Sequence, residues 1–177
     1  MSHHFLKISY LLILVTLPIA IAGLSIAPWL PTRKKDLKRA NKLANLKKDE
    51  VFYELGCGDA RVSSYVALKN PQSKVIAFEL ALPLYFVAKV RSLLFPRKNL
   101  KIKLGNIFKK DLSRANVIYV FAMKESLNNK LKKKFLKELK KGTKIISYAF
   151  SMNDWEKGKM KIDKPSEKDP GMYVYEI

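Results

Sequence analysis

Hydrophobic and polar positions divide the 177-residue chain into one long uncharged segment and a series of shorter alternating segments. No charged residue occurs from Ile8 to Leu30. As a helix, this run would rise ~34 Å at ~1.5 Å per residue, enough to cross the hydrocarbon core of a bilayer. Tyr10 and Trp29 lie near its ends, where aromatic rings favour the headgroup zone. The pattern predicts a transmembrane anchor over residues 1–31.

Basic residues follow the uncharged run and set its expected orientation. They are Arg33, Lys34, Lys35, Lys38, Arg39 and Lys42, against the single Lys7 on the other side. Because positive flanks remain in the cytoplasm, we expect a single-pass membrane protein with its C-terminal domain on the cytoplasmic side. A cleaved signal peptide is the alternative, since Ala20, Ala22 and Ala27 are small. The run is longer than a signal core of ~7–15 residues, which favours the anchor.

The rest of the chain, residues 32–177, predicts one α/β domain. Helices are expected from Thr32 to about residue 46 and over 61–69, 83–95 and 127–141. Strands are expected over 51–55, 74–78, 100–104, 117–121 and 144–150, with a closing pair at 159–162 and 172–177. This alternation predicts βαβ units and a mainly parallel sheet with helices on both faces.

The helix predicted over 127–141 carries an apolar stripe beneath a lysine face. Such a helix can pack on the sheet or lie on an anionic membrane. The stripe favours packing on the sheet, and the two interpretations are compatible if the lysines face a bilayer.

Charge and cysteine content limit the partners. The formal net charge of +20 predicts attraction to nucleic acid, anionic lipid or an acidic protein face, although surplus lysines also serve simply to solvate a surface. The single cysteine, Cys57, excludes an internal disulfide framework and a cysteine-based zinc cage. We therefore predict no metal site.

The informative motif is the run from Glu54 to Arg61, at the end of the first strand. Gly56 and Gly58 have no side chains, so a cofactor can approach the protein backbone closely at these positions. The third glycine of a dinucleotide fingerprint would fall at Arg61, and no Gly-Lys-Ser/Thr follows, so neither a dinucleotide motif nor a phosphate loop is present. Cys57 and Asp59 lie within this loop and are candidate cofactor-binding residues with its glycines. Cys57 is expected to be a small loop residue rather than a nucleophile, and Asp59 to help position the substrate.

Two further strand ends add polar residues to the same edge of the sheet. Glu79 ends the second strand, where a carboxylate can accept both hydroxyls of a ribose. Asn106 follows the third strand. With Glu54, these residues predict a cofactor site formed by three successive loops.

The pattern Glu54-x-Gly56-x-Gly58, with Glu79 and Asn106, resembles the Rossmann-like class I methyltransferases. The resemblance implies S-adenosylmethionine as cofactor and a seven-stranded sheet whose last strand is antiparallel. It also implies that Glu54 and the two glycines border the methionine part, that Glu79 holds the ribose, and that Asn106 meets the adenine.

A closer similarity covers nearly the whole chain. The membrane segment, the Pro-Thr-Arg/Lys entry, the glycine loop and the segments 136–143 and 150–155 occur in the same order in small methyltransferases related to the mitochondrial ATP synthase c-subunit lysine methyltransferase and archaeal protein-lysine methyltransferases. This resemblance implies a protein lysine as methyl acceptor. Many bacterial members carry Ser-His-Asp-Phe where this chain has Ser147-Tyr148-Ala149-Phe150.

Residues at the ends of the fourth and fifth strands are candidates for the acceptor pocket. We expect Phe121, Met123 and Tyr148 to form an apolar slot there, which would favour an unprotonated lysine through desolvation. Three alternatives remain: a lipid or quinone acceptor, an RNA acceptor, and a non-catalytic membrane scaffold that binds the cofactor. RNA is less favoured, because residues 120–123 lack the Asn/Asp-Pro-Pro-aromatic motif of many base methyltransferases.

Overall fold

The computed structural model describes residues 30–155 and 158–177, and its elements alternate between helix and strand as predicted. The strands are β1 (Val51–Leu55), β2 (Lys74–Glu79), β3 (Leu100–Leu104), β4 (Val117–Val120), β5 (Lys144–Tyr148), β6 (Met160–Asp163) and β7 (Met172–Glu176). The helices are α1 (Lys34–Ala44), α2 (Arg61–Lys69), α3 (Leu82–Leu94), α4 (Lys124–Ser126) and α5 (Lys132–Glu138). A π-helical turn (Leu127–Leu131) joins α4 to α5, and a short 3₁₀ helix (Ile107–Lys109) follows β3.

The seven strands form one sheet in the order β3-β2-β1-β4-β5-β7-β6. Strands β1 to β5 pair in parallel, and β7 pairs antiparallel with both β5 and β6. This confirms the predicted seven-stranded, mostly parallel sheet. The order of the strands reverses beside β1, with β2 and β4 as its neighbours. Ligands of open α/β sheets bind at such a point, beyond the carboxyl ends of the strands.

Helices cover both faces of the sheet, because its central strands are apolar on both sides. All four residues of β4 are buried. One core lies beneath α1, α2 and α3, and includes Ala40 and Ala88. The opposite core lies beneath the α4–α5 segment.

The segment predicted as one helix over 127–141 packs its apolar stripe on the sheet. Leu127, Leu131 and Phe135 are fully buried there. The stripe is therefore covered by protein. The helical segment begins at Lys124 and ends at Glu138, three residues before the predicted end, because Leu139 already has extended backbone angles.

The prediction that Thr32 caps the first helix is wrong by one residue. Helix α1 begins at Lys34 with Arg33 in the cap position, and no side chain caps its N-terminus. The carbonyl of Thr32 instead accepts a hydrogen bond from the Arg61 side chain at 3.2 Å. The helix ends at Ala44 because the next residue, Asn45, turns into the left-handed region with φ 44°.

The predicted anchor falls on residues 1–31, of which residues 1–29 lie outside the described part of the chain. Among the described residues, no helix combines the length and apolar character needed to cross a bilayer. The anchor and the boundary between residues 31 and 32 remain predictions from the sequence.

Candidate active site

Backbone hydrogen bonds join the loops that follow β1, β2 and β3. The amides of Gly56 and Cys57 both donate to the Phe78 carbonyl at 2.9 Å. The amide of Gly105 donates to the Glu79 carbonyl at 2.8 Å. The three loops that the sequence predicts to be neighbours therefore form one continuous edge.

The loop after β1 needs its glycines because its backbone enters the left-handed region. Gly56 has φ 77° and Gly58 has φ 55°. A side chain with a Cβ is strained at such angles, whereas glycine adopts them freely. Ala60 shares this conformation at φ 55° immediately before α2 begins. Gly56 is exposed, so at this position no side chain stands between the backbone of the loop and an approaching ligand.

The Glu79 carboxylate connects its own loop to the glycine loop. One oxygen accepts from the Gly58 amide at 2.7 Å, and the other accepts from the amides of Leu80 and Ala81 at 2.9 Å. The side chain is buried. A carboxylate has about four acceptor sites, so the three bonds leave room for a further donor. Glu79 therefore has a structural function in addition to any contact with a ligand.

Glu54 lies buried on β1 beside the start of α2. One of its carboxylate oxygens accepts from the Ser63 amide at 2.9 Å and from the Ser63 hydroxyl. Desolvation raises the pKa of Glu54 to about 8. The hydrogen bonds from Ser63 lower this pKa, whereas the nearby negative charges of Asp59 and Glu79 raise it further. A carboxyl group in this position favours a cationic ligand, whose charge would restore the ionised form.

Asp59 differs from the other acidic residues because two arginines already pair with it. Its carboxylate accepts from Arg61 at 2.6 Å and from Arg91 of α3 at 2.9 Å. Burial alone would raise the pKa of Asp59, but hydrogen bonding and charge from these arginines hold it below its ordinary value. Its side chain therefore connects the glycine loop to α2 and α3.

Asn106 and Cys57 have local functions in their loops. The side-chain oxygen of Asn106 accepts from the Phe108 amide at 2.9 Å and so caps the short 3₁₀ helix. This bond fixes the orientation of the Asn106 amide group. Burial raises the pKa of the Cys57 thiol well above its ordinary value, so the thiol stays protonated near neutral pH and is a poor nucleophile.

Aromatic side chains form a cluster beyond the ends of β4 and β5. The Phe121 ring meets Tyr148 edge-on at a centroid distance of 5.8 Å and stacks on Phe150 at 6.2 Å. Phe121 and Phe150 are half-buried, and Tyr148 is buried. Met123, the third predicted residue, is exposed at the position that precedes α4. The structure thus brings Phe121 and Tyr148 together and leaves Met123 at the surface.

The Tyr148 hydroxyl donates to the fully buried Asp36 at 2.8 Å. Asp36 also accepts from Arg33 at 2.6 Å and from Arg39 at 2.7 Å. Burial, reinforced by the hydrogen bond to Asp36, raises the pKa of Tyr148 to about 12. Lys35 pairs with Asp169, so three of the six basic residues that follow the uncharged run, Arg33, Lys35 and Arg39, are engaged in ion pairs within the domain.

Sequence reasoning missed three residues that hold this site together. They are Ser63, Asp36 and Arg91. Ser63 gave no signal, because a serine inside a helix is common. Asp36 is the one acidic residue within a basic run, and its spacing of three from both Arg33 and Arg39 was the available signal.

The chain was compared with known proteins. A protein-lysine N-methyltransferase of Saccharolobus islandicus (strain REY15A) is 30% identical over 156 residues, which cover 85% of this chain and 93% of that protein. Among solved structures, an RNA methyltransferase from Salinibacter ruber in complex with S-adenosyl-L-homocysteine is 24% identical with a TM-score of 0.72, and covers 84% of this chain and 94% of that one. A precorrin-6y C5,15-methyltransferase from Geobacter metallireducens GS-15 is 15% identical with a TM-score of 0.67, covering 84% and 89%. These two structural similarities show the fold alone.

The sheet order, the loop after β1 and these similarities define a class I S-adenosylmethionine-dependent methyltransferase. The model of the ANTKMT methyltransferase domain matches residues 54–159, and the chain belongs to that family. S-adenosylmethionine is its cofactor. The residues at this site fit the cofactor. The buried carboxyl of Glu54 stands beside the glycine loop, and a cationic amino-acid group would stabilise its ionised form.

Proposed function

We propose that this methyltransferase acts on lysine side chains of proteins at a membrane to which residues 8–30 anchor it. The observation that carries the proposal is the aromatic cluster of Phe121, Tyr148 and Phe150 at the carboxyl edge of the sheet, where β4 lies between β5 and the β1 strand that leads into the glycine loop. The name of the Saccharolobus islandicus relative agrees with a lysine acceptor.

We assign the cofactor contacts to the residues at the ends of β1, β2 and β3. Glu54 and the backbone of residues 56–59, which include Cys57, would border the methionine part. Glu79 would accept from a ribose hydroxyl at the acceptor site that its three backbone hydrogen bonds leave open. Asn106 would meet the adenine with the amide group that its bond to Phe108 orients.

The bound cofactor would supply a methyl group attached to a sulfonium sulfur, which is a good leaving group because it departs as a neutral thioether. The protein therefore needs mainly to align the acceptor and to exclude water. A lysine must arrive as the neutral amine, and an aromatic slot favours that form because desolvation lowers the pKa of an ammonium. Phe121 and Phe150, stacked and half-buried, would hold the aliphatic stem of the lysine. The Tyr148 hydroxyl, fixed by its bond to Asp36, would offer its lone pair to the amine.

The membrane part of the proposal rests on the sequence of residues 8–30 and the basic residues after it. It places the domain on the cytoplasmic side and an anionic lipid surface beside it. Resistance of the full-length chain to extraction by alkaline carbonate, with the domain open to protease only from the cytoplasmic side, would support this arrangement. Release by carbonate would contradict the anchor and leave the enzyme activity untouched.

An RNA acceptor is the second candidate. One observation favours it: the net charge of +20, which attracts a polyanion such as RNA. Binding to RNA that weakens steeply with salt would be its signature. Transfer to a lipid or quinone, and a scaffold without catalysis, are the remaining outcomes of the same experiment.

The test supplies native membranes and the detergent-solubilised full-length chain with cofactor that carries a labelled methyl group. Products are separated into protein, lipid and RNA fractions, and labelled protein is hydrolysed to identify methyllysine. The variant Glu54→Gln should lose transfer, and the exposed Glu125→Gln controls for a change of one surface charge. Label in methyllysine supports the proposal. Label in RNA or lipid would replace the acceptor, and cofactor binding without transfer would favour the scaffold.

A further inference from the structure

The outer face of α3 is apolar along its whole length. Its exposed apolar residues are Leu82, Phe86, Val87, Val90, Leu93 and Leu94. At ~100° per residue they fall within a stripe about 140° wide on one side of the helix. Leu93 is 77% exposed and Leu94 is 69% exposed. A helix on the surface of a domain ordinarily directs such a stripe inward.

The inward side of α3 explains why the stripe faces out. Ala88 is the one fully buried residue of the helix, and the partly buried Tyr85 packs beside it. These residues attach α3 to β2 and β3. The domain therefore does not need the outer stripe for its core. Contiguous exposed apolar patches of this kind mark interaction surfaces.

We propose that the outer stripe of α3 lies in the interfacial zone of an anionic phospholipid bilayer. The first argument is the charge at its borders. The exposed Lys89 flanks one edge of the stripe, and the exposed Lys98 follows the helix. Helices that lie in the membrane interface have this pattern: an apolar face reaches the acyl chains while lysine and arginine extend to the headgroups. The net charge of +20 adds a longer-range attraction to anionic lipid.

The second argument is where the uncharged N-terminal run ends. Thr32 lies two residues beyond Leu30, and its carbonyl accepts from Arg61 at 3.2 Å. Arg61 pairs with Asp59 at 2.6 Å, and Asp59 pairs with Arg91 of α3 at 2.9 Å. This chain of contacts holds the end of the run close to α3. A bilayer that contains residues 8–30 would therefore lie beside the apolar stripe, and the inference rests on the proposed anchor in this respect.

The experiment measures depth in the bilayer with a nitroxide label on the full-length chain. Labels are placed at Val90→Cys and Leu93→Cys within the stripe, and at the exposed Lys133→Cys on the opposite face of the sheet. The native Cys57 is buried, so the unaltered chain, which should take up no label, controls for specificity. Protein is reconstituted in vesicles of 70% phosphatidylcholine and 30% phosphatidylglycerol. Collision with oxygen, which concentrates in lipid, is compared with collision with a water-soluble nickel complex.

The expected result is that labels at residues 90 and 93 collide at least threefold less with nickel than the label at residue 133, and more with oxygen. Nickel collision equal to that at residue 133 would place the stripe in water and overturn the inference. Low collision with both reagents would mean that protein covers the stripe, and spin–spin coupling would identify a second copy; either overturns it. Protein that does not float with the vesicles would contradict the proposed anchor as well as this inference. Protein that floats while the labels on the stripe remain accessible to nickel would contradict this inference alone.

Discussion

The Glu54→Gln substitution separates the stability of the fold from cofactor binding. Glutamine has the same shape as glutamate, and its side-chain oxygen can still accept from the amide and hydroxyl of Ser63. The change removes the negative charge and replaces the other carboxylate oxygen by an amide nitrogen. We expect the variant to be more stable than the wild type near neutral pH and to bind the cofactor more weakly.

The stability effect follows from the raised pKa of Glu54. The pKa of Glu54 is about 8 in the folded chain, against an ordinary value of 4.5. Because the folded state binds the proton more tightly, wild-type stability falls as pH rises from about 4.5 to about 8. The loss is ~1.4 kcal/mol per pH unit within that window, and on the order of 3–5 kcal/mol in total. Glutamine does not titrate, so the variant should lack this slope.

The binding effect has the opposite sign. A cationic cofactor favours the ionised form of Glu54. With a pKa of about 8, only about one Glu54 side chain in a hundred is ionised at pH 6. Wild-type affinity should therefore increase about tenfold between pH 6 and pH 7 and level off above pH 8. Loss of a hydrogen bond to a charged group costs ~1.5–3 kcal/mol, so the variant should bind roughly 10- to 100-fold more weakly at pH 8.

Two measurements test this reasoning on the same samples. Urea unfolding from pH 4.5 to pH 8.5 gives the difference in stability between wild type and variant, and calorimetric titration gives the affinity for S-adenosylmethionine. Glu125→Gln, an exposed residue, should change neither slope. Titration of the cofactor itself affects both proteins and cancels in the comparison. A stability difference that does not vary with pH would refute the raised pKa, and equal affinities at pH 8 would refute the assigned contact.

Four further substitutions test the structure elsewhere. Glu79→Ala removes the acceptor of three backbone amides, of which two are buried, and should lower the free energy of unfolding by ~3–6 kcal/mol in urea denaturation. An unchanged midpoint would show that these bonds contribute nothing. Tyr148→Phe takes one donor from the buried carboxylate of Asp36 and should cost ~1–3 kcal/mol by thermal denaturation, unless water replaces the donor. Leu131→Ala in the core should cost ~2–5 kcal/mol, whereas Leu93→Ala on the exposed stripe should change stability by less than ~0.5 kcal/mol in the same melt; similar losses at both would contradict the burial.

The predicted loss of stability makes Glu79→Ala a poor test of cofactor binding. Its loss of activity would combine a damaged loop with a lost contact to the ribose. Glu54→Gln retains its local hydrogen bonds and is therefore the cleaner test of catalysis.

The sequence predicted the sheet and the residues at its edge because both depend on local signals. The alternation of apolar segments with helical periodicity identifies the strands, and the glycines after β1 mark a backbone in the left-handed region. The ends of parallel strands must share one edge, so Glu54, Glu79 and Asn106 could be grouped before their contacts were known.

Contacts between distant positions could not be predicted in this way. Asp36 and Tyr148 are 112 positions apart, and their pairing depends on how α1 crosses the end of β5. From the sequence, the basic run around Asp36 indicated the flank of a membrane segment. In the structure, Arg33 and Arg39 of this run form ion pairs with the Asp36 carboxylate. Ser63 meets Glu54 only because α2 returns beside β1.

The apolar stripe of α3 shows a different limit. Hydropathy identifies an apolar helix but cannot tell which side packs inward when a small residue such as Ala88 is sufficient to seat the helix on the sheet. Only the fold reveals that the large residues face out. Because Arg91 of this helix pairs with Asp59 in the glycine loop, and Arg61 joins that pair to the carbonyl of Thr32, the stripe and the cofactor loop share one cluster of ion pairs. A membrane that positions α3 would consequently also position the glycine loop, to which we assign contacts with the cofactor.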